Sequence, residues 1–89
     1  MPEVVMYSTR LCPYCIRARM LLDRKGVEYV DIRIDQEPDR RPEMEARSGR
    51  TTVPQIFIGG RHVGGCDDIY ALEHAGELDA LLGIEGDSE

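Results

Sequence analysis

Nowhere in the 89 residues do roughly 18 apolar residues follow one another, the length a membrane-spanning helix requires, so a membrane span is excluded. Basic residues are in deficit. Eleven Lys and Arg against 17 Asp and Glu leave a net charge of −6 and a pI near 4.8. Such a chain lacks the basic stripe of a nucleic-acid-binding protein. The opening Met1-Pro2-Glu3 has neither the basic residues nor the apolar stretch of a secretory signal, and the protein is expected in the cytoplasm. Cysteine is also sparse: there are three, an odd number. A secreted disulfide scaffold carries more, in pairs, whereas a close pair in a reducing compartment points to redox or metal chemistry. The length fits one compact domain with a modest core.

The apolar pattern orders the elements. Glu3 to Tyr7 reads as a short buried strand. Beyond Pro13, a residue suited to a first helical turn, Ala18, Leu21 and Leu22 recur at helical spacing, and Gly26 stops the helix. Glu28 to Ile34 alternates Tyr29, Asp31 and Arg33 with Val30, Ile32 and Ile34, a strand with two unlike faces. A second helix ends near Ser48-Gly49. Its start is ambiguous, because Pro38 and Pro42 both favour a first turn. Gln55 to Ile58 is a strand, Gly59-Gly60 a hairpin turn and Arg61 to Val63 its partner. A helix from Cys66 to His74 turns Ile69 and Leu72 inward, and Leu78, Leu81 and Leu82 mark a last one. Residues 1–83 form the expected domain and 84–89 an acidic, frayed tail. The order is β-α-β-α-β-β-α-α. Its βαβ unit must be parallel with a right-handed crossover and its hairpin antiparallel. One mixed four-stranded sheet flanked by helices satisfies both.

Cys12-Pro13-Tyr14-Cys15 follows a strand and opens a helix, the context a C-x-x-C redox motif requires. Unpaired N–H groups and the macrodipole at a helix start favour an anion, so Cys12 is the expected thiolate, the attacking species in disulfide exchange. Arg10, two residues earlier, is placed to add positive potential. Cys15, a turn further in, is close enough to resolve a mixed disulfide on Cys12 but less exposed. The other readings of the pair are two buried small hydrophobes or half a metal site. A zinc site needs about four ligands, and only Cys66, His62 and His74 remain to complete one. No metal is therefore expected. His62 and His74 read as surface or core fillers.

Three motifs in order, Cys-Pro-Tyr-Cys at 12–15, Thr52-Val53-Pro54, and Gly-Gly-Cys-Asp-Asp at 64–68, make the chain resemble the glutaredoxin family over residues 3 to 82. The likeness is to small bacterial dithiol members, with residues 50–58 an extended match. The resemblance implies a thioredoxin fold and a glutathione-dependent thiol–disulfide oxidoreductase. Glutathione would be co-substrate, with no cofactor tightly bound. Disulfide-bearing or glutathionylated proteins, ribonucleotide reductase among the candidates, would be partners of a monomer. It implies a cis Val53-Pro54 bond that offers the Val53 N–H and C=O to the cysteinyl part of glutathione as a strand edge does, with Thr52 and Pro54 also counted in the glutathione site. From residues alone, Pro54 reads as an ordinary trans proline opening an edge strand.

At 64–68 the resemblance has the Cys66 and Asp67 N–H groups hold the γ-glutamyl carboxylate, as helix starts hold anions. Gly65 would allow close approach and the Asp67 side chain would meet the ammonium. An acidic N-cap is the plainer reading of these aspartates. Cys66 itself reads as a packing residue, the other reading being a third thiol open to glutathionylation. Tyr14 would lie beside the sulfur. The family's usual Lys for the glycyl carboxylate is Thr9 here, so Arg10 or Arg41 is expected to serve. Arg47 and Arg50 read as solvated charges. Two further readings are a redoxin fed by a reductase protein and an iron–sulfur carrier. Pro13-Tyr14 departs from the Cys-Gly-Phe-Ser setting of the latter.

Overall fold

Val4–Ser8 (β1) is buried throughout because helices cover the sheet on both sides. Val4 and Met6 face one layer, while Val5 and Tyr7 face the other. The computed structural model describes residues 2–84; the acidic stretch 85–89 lies outside the described residues. After β1 come α1 (Pro13–Lys25), β2 (Val30–Arg33), α2 (Arg41–Ser48), β3 (Gln55–Ile58), β4 (Arg61–Gly64), α3 (Cys66–His74) and α4 (Leu78–Leu82). The strand order is β2-β1-β3-β4. The β1–β2 pair is parallel and the other two are antiparallel, the mixed sheet the pattern predicts. A bulge opposite Ile56 and Phe57 lets Val63 slip from the ladder.

The two layers differ in size. On one side Ala18, Leu21 and Leu22 of α1, Ile69 of α3 and Leu78 and Leu82 of α4 pack on Val4, Met6, Ile56 and Ile58. Trimming either leucine of α1 to Ala is expected to cost about 2–5 kcal/mol, because the surroundings close only partly over the void. On the other side Met44 of α2 meets Val5, Tyr7, Ile32, Ile34 and Phe57.

Two expectations change and one ambiguity resolves. The second strand is shorter than Glu28 to Ile34, and Val30 stands half exposed on the sheet edge. Tyr29 packs on the larger core and donates its hydroxyl to Asp23. The ambiguous start of the second helix resolves into both prolines being used. Pro38 opens a 3₁₀ turn (Pro38–Arg40), and Pro42 sits in the first turn of α2. Ile84, assigned to the tail by sequence, packs against the larger core, and its N–H bonds the Asp79 carbonyl.

Candidate active site

Parallel β1 ends where α1 begins, and that junction presents Cys12. The residue is the N-cap of α1, with extended backbone (φ −72°, ψ 120°), and its carbonyl accepts the Ile16 N–H at 3.0 Å. Pro13 occupies the first turn at no cost in hydrogen bonds. That turn contains no acidic residue, while Arg24 and Lys25 occupy the last one. The positive end of the dipole is thus left uncompensated beside the sulfur. Cys12 Sγ is half-buried and lies 3.9 Å from the Val53 carbonyl oxygen. Cys15, one turn on, is wholly buried. Burial pushes its thiol up to about 11, with a hydrogen bond to the Thr9 backbone pulling the other way and the neighbouring Cys12 adding to the rise. Only one of the two sulfurs faces solvent.

Below this junction lies a polar cluster that the sequence did not announce. Arg19 Nε bonds Asp31 at 2.8 Å, and its Nη2 donates to Ser8 Oγ at 2.7 Å and to the Thr9 carbonyl at 3.1 Å. The buried Ser8 hydroxyl donates to the other Asp31 oxygen. A parallel cluster ties the sheet to α2, where Tyr7 donates to Glu43 and Arg47 Nη1 donates to the Tyr7 hydroxyl at 2.9 Å.

A groove of about 320 Å³ opens next to Cys12, lined by Tyr14, Thr52, Val53, Pro54, Gly65, Cys66 and Asp67 together with Arg50, Gln55 and Asp68. Seven of the residues expected from sequence therefore converge on one surface, drawn from the α1 start, the β3 entry and the α3 start. The Val53-Pro54 bond is cis. Gly65 passes close to the Pro54 carbonyl, and a Cβ there would stand a tight 3.3 Å from its oxygen. Asp68, at the third position of α3, accepts the N–H of the N-cap Gly65 on Oδ2 at 2.9 Å, the reaching-back half of a capping box. That bond first, and the Arg50 guanidinium at 3.1 Å second, hold its carboxyl below the usual value. Capping thus falls to Asp68, and Asp67 lines the groove.

Arg10 and Arg41 do not line this groove. Arg41 turns to Glu45 and to the Thr51 carbonyl, which its Nη2 meets at 2.6 Å. The Arg10 N–H bonds Asp35 at 3.2 Å, and among the described residues its guanidinium forms no ion pair. Two other arginines are more than solvated charges: Arg50 lines the groove, and Arg47 stacks 4.2 Å from the Phe57 ring centroid. His62 accepts or donates at 2.7 Å with Gln55, and burial lowers its basicity. Of the groove residues missed by sequence, Asp68 carried a signal, standing three residues after Gly65 at capping distance. Arg50 carried none. Among the described residues no three His, Cys, Asp or Glu side chains gather to hold a metal ion.

A mixed four-stranded sheet with helices on both faces, and a Cys-x-x-C pair where its first strand passes into a helix, define a thiol–disulfide oxidoreductase of thioredoxin fold. The Glutaredoxin family model matches residues 4–63. The chain is 61% identical to a glutaredoxin of Pseudomonas aeruginosa over 82 residues, 92% of this chain and 98% of that one. It is 55% identical to glutaredoxin 3 of Escherichia coli, covering 92% and 99%. Among solved structures, a buckwheat glutaredoxin–glutathione complex superposes with a TM-score of 0.86 at 36% identity, over 92% of this chain and 77% of that one. A glutaredoxin from Brucella melitensis superposes at 0.80 with 57% identity, over 92% and 89%. The chain belongs to the glutaredoxin family.

Proposed function

We propose that the protein reduces protein disulfides and glutathione mixed disulfides with glutathione as the electron source. One observation carries this reading: the more accessible sulfur of the pair stands at an acid-free helix start, 3.9 Å from the Val53 carbonyl beside a groove lined by a second helix start. In this reading Cys12 attacks the substrate sulfur. A glutathionylated substrate leaves its glutathionyl group on Cys12, and a second glutathione releases it as glutathione disulfide. With a protein disulfide, Cys15 closes onto Cys12 and two glutathiones restore the thiols.

The groove offers partners for the cysteinyl and γ-glutamyl parts of the tripeptide, and the glycyl part reaches beyond it. Thr52 and Val53 pair with its cysteinyl backbone, and Pro54 and Tyr14 flank the sulfur. The N–H groups of Cys66 and Asp67, reached past Gly65, hold the γ-glutamyl carboxylate, and the Asp67 carboxylate meets the ammonium. Arg50, already in the groove, adds positive charge at that end. The glycyl carboxylate falls to Arg10, whose guanidinium is uncommitted, ahead of Arg41. The two-point geometry of an Arg–carboxylate pair makes up for the Lys replaced by Thr9. The protein works as a cytoplasmic monomer, and ribonucleotide reductase is the first protein substrate to try.

The deciding assay is turnover of a small glutathione mixed disulfide with glutathione and glutathione reductase. Cys12→Ser is expected to abolish it. Cys15→Ser is expected to keep it while losing reduction of a protein disulfide. Wild-type protein that turns over only with a reductase protein in place of glutathione overturns the reading, and equal loss in both variants overturns the division of roles.

A further inference from the structure

We infer that Arg19 is a positioning residue for Cys15: fixed under the active-site loop by Asp31, Ser8 and the Thr9 carbonyl, it stabilises the thiolate that leaves Cys15 when a Cys12–Cys15 disulfide is opened. The inference rests on the proposed exchange chemistry and concerns its second half. Because Cys15 is wholly buried and Cys12 is not, an incoming thiolate can reach only Cys12 Sγ. A bond forms between the incoming sulfur and Cys12 Sγ. The Cys12–Cys15 bond breaks, and its electron pair goes to Cys15 Sγ. A second thiol then displaces Cys12 as the new disulfide departs, and Cys15 takes a proton from water. Cys15 is thus always the leaving group in this direction.

A thiol of high basicity leaves slowly, and burial makes Cys15 such a thiol, at about 11. Two groups act against that. The Thr9 backbone bonds the sulfur, and the Arg19 charge favours the thiolate. Cys15 and Arg19 are four residues apart on α1, so they share one face of the helix. The guanidinium is not free to turn away, because three partners hold it within 3.1 Å. Through the Thr9 carbonyl it also fixes the peptide segment whose backbone meets Cys15. Arg33, the other cation that senses Cys15, is held by both oxygens of Asp35 at 2.8 and 2.6 Å. Asp31 is the counter-charge that limits what Arg19 delivers.

The test oxidises the protein to its Cys12–Cys15 disulfide. It then measures the rate of opening by excess glutathione and, separately, by dithiothreitol, using acid quench and mass spectrometry. Arg19→Gln is expected to slow opening roughly five- to tenfold with either thiol, and Arg19→Lys to restore most of the rate. Asp31→Asn removes the counter-charge and is expected to speed opening about twofold or more. A purely structural ion pair predicts the opposite for the last variant: both partners slow opening and lower the melting temperature together. That result overturns the inference, as does an Arg19→Gln protein that opens at the wild-type rate. Should Arg19→Gln not fold, an Asp31→Asn protein that fails to open faster overturns it alone. Wild type opened by dithiothreitol but not by glutathione would sink the glutathione reading, leaving Arg19 to be decided by the dithiothreitol arm.

Discussion

Cys12 and Cys66 each stand where a helix begins, Cys66 lining the groove and Cys12 beside its Val53 wall, yet they are different thiols. Cys12 is the N-cap of α1, half-buried, with no acidic residue in the turn that follows. Cys66 opens α3, is buried, and is followed directly by Asp67 and Asp68. Burial pushes the Cys66 thiol up, with Arg17 opposing and Asp67 reinforcing. A helix start alone therefore does not make a reactive cysteine. Access to solvent and the charge of the first turn decide it. The loops before the helices are secured alike. Asp35 accepts the Arg10 N–H ahead of α1, and Asp68 accepts the Gly65 N–H ahead of α3.

The largest expected effect breaks the likeness between the two cysteines. With iodoacetamide at neutral pH, Cys12 is expected to be alkylated on the order of 100-fold faster than Cys66. Cys66→Ser should retain most turnover of a glutathione mixed disulfide, since it leaves the backbone N–H groups in place. Comparable labelling rates, read by peptide mass spectrometry, would erase the distinction. Next comes the strand end before α3. Gly64 has φ +123°, and a Cβ there would stand 2.2 Å from Asp68 Oδ2. Gly64→Ala is expected to cost about 2–4 kcal/mol through backbone strain and displacement of the cap. Asp68→Asn should cost about 1 kcal/mol or less, since the Asn oxygen can still accept the Gly65 N–H and only the charge at the helix start is lost. Urea melts of the two variants check the order, and equal midpoints would show that the cap alone matters at this turn.

The smallest effect concerns acid. Arg33 chiefly, with the Arg10 backbone N–H beside it, holds the Asp35 carboxyl at about 2, below its ordinary 3.8. A carboxyl lowered on folding contributes stability above its unfolded value and loses it as pH falls through the folded one. The tie ahead of α1 is thus expected to hold at pH 4 and to be lost towards pH 2. Carbon-detected NMR of Asp35 should give a midpoint near 2, and one near 3.8 would mean that this loop is not held as described.

Much of this was legible in the chain because the signals are local. Pro13 and Gly26 bracket α1, Gly59-Gly60 turns the hairpin, and the glycine–cysteine–aspartate run marks the start of α3. The groove-lining residues at three element entrances were legible only through the family resemblance that the motifs carry; read on their own, Pro54 was a trans proline and the aspartates an N-cap. What stayed hidden depends on pairings across long separations. Arg50 reaches Asp68 eighteen residues away, and Arg19 reaches Asp31 across the βαβ unit. No periodicity records either. Arg41 was a reasonable partner for a carboxylate until the fold placed Glu45 one helical turn away and the Thr51 carbonyl within reach. Val30 alternates as a buried residue should, but an edge strand has too little above it to cover its first position.

Lys25 lies at the end of α1 with its ammonium 2.7 Å from both Glu73 of α3 and Asp79 of α4. Beneath that clasp, Leu78 and Leu82 plug the larger core. The larger core therefore cannot close until both α3 and α4 have docked on α1, however early β1 and α1 themselves form.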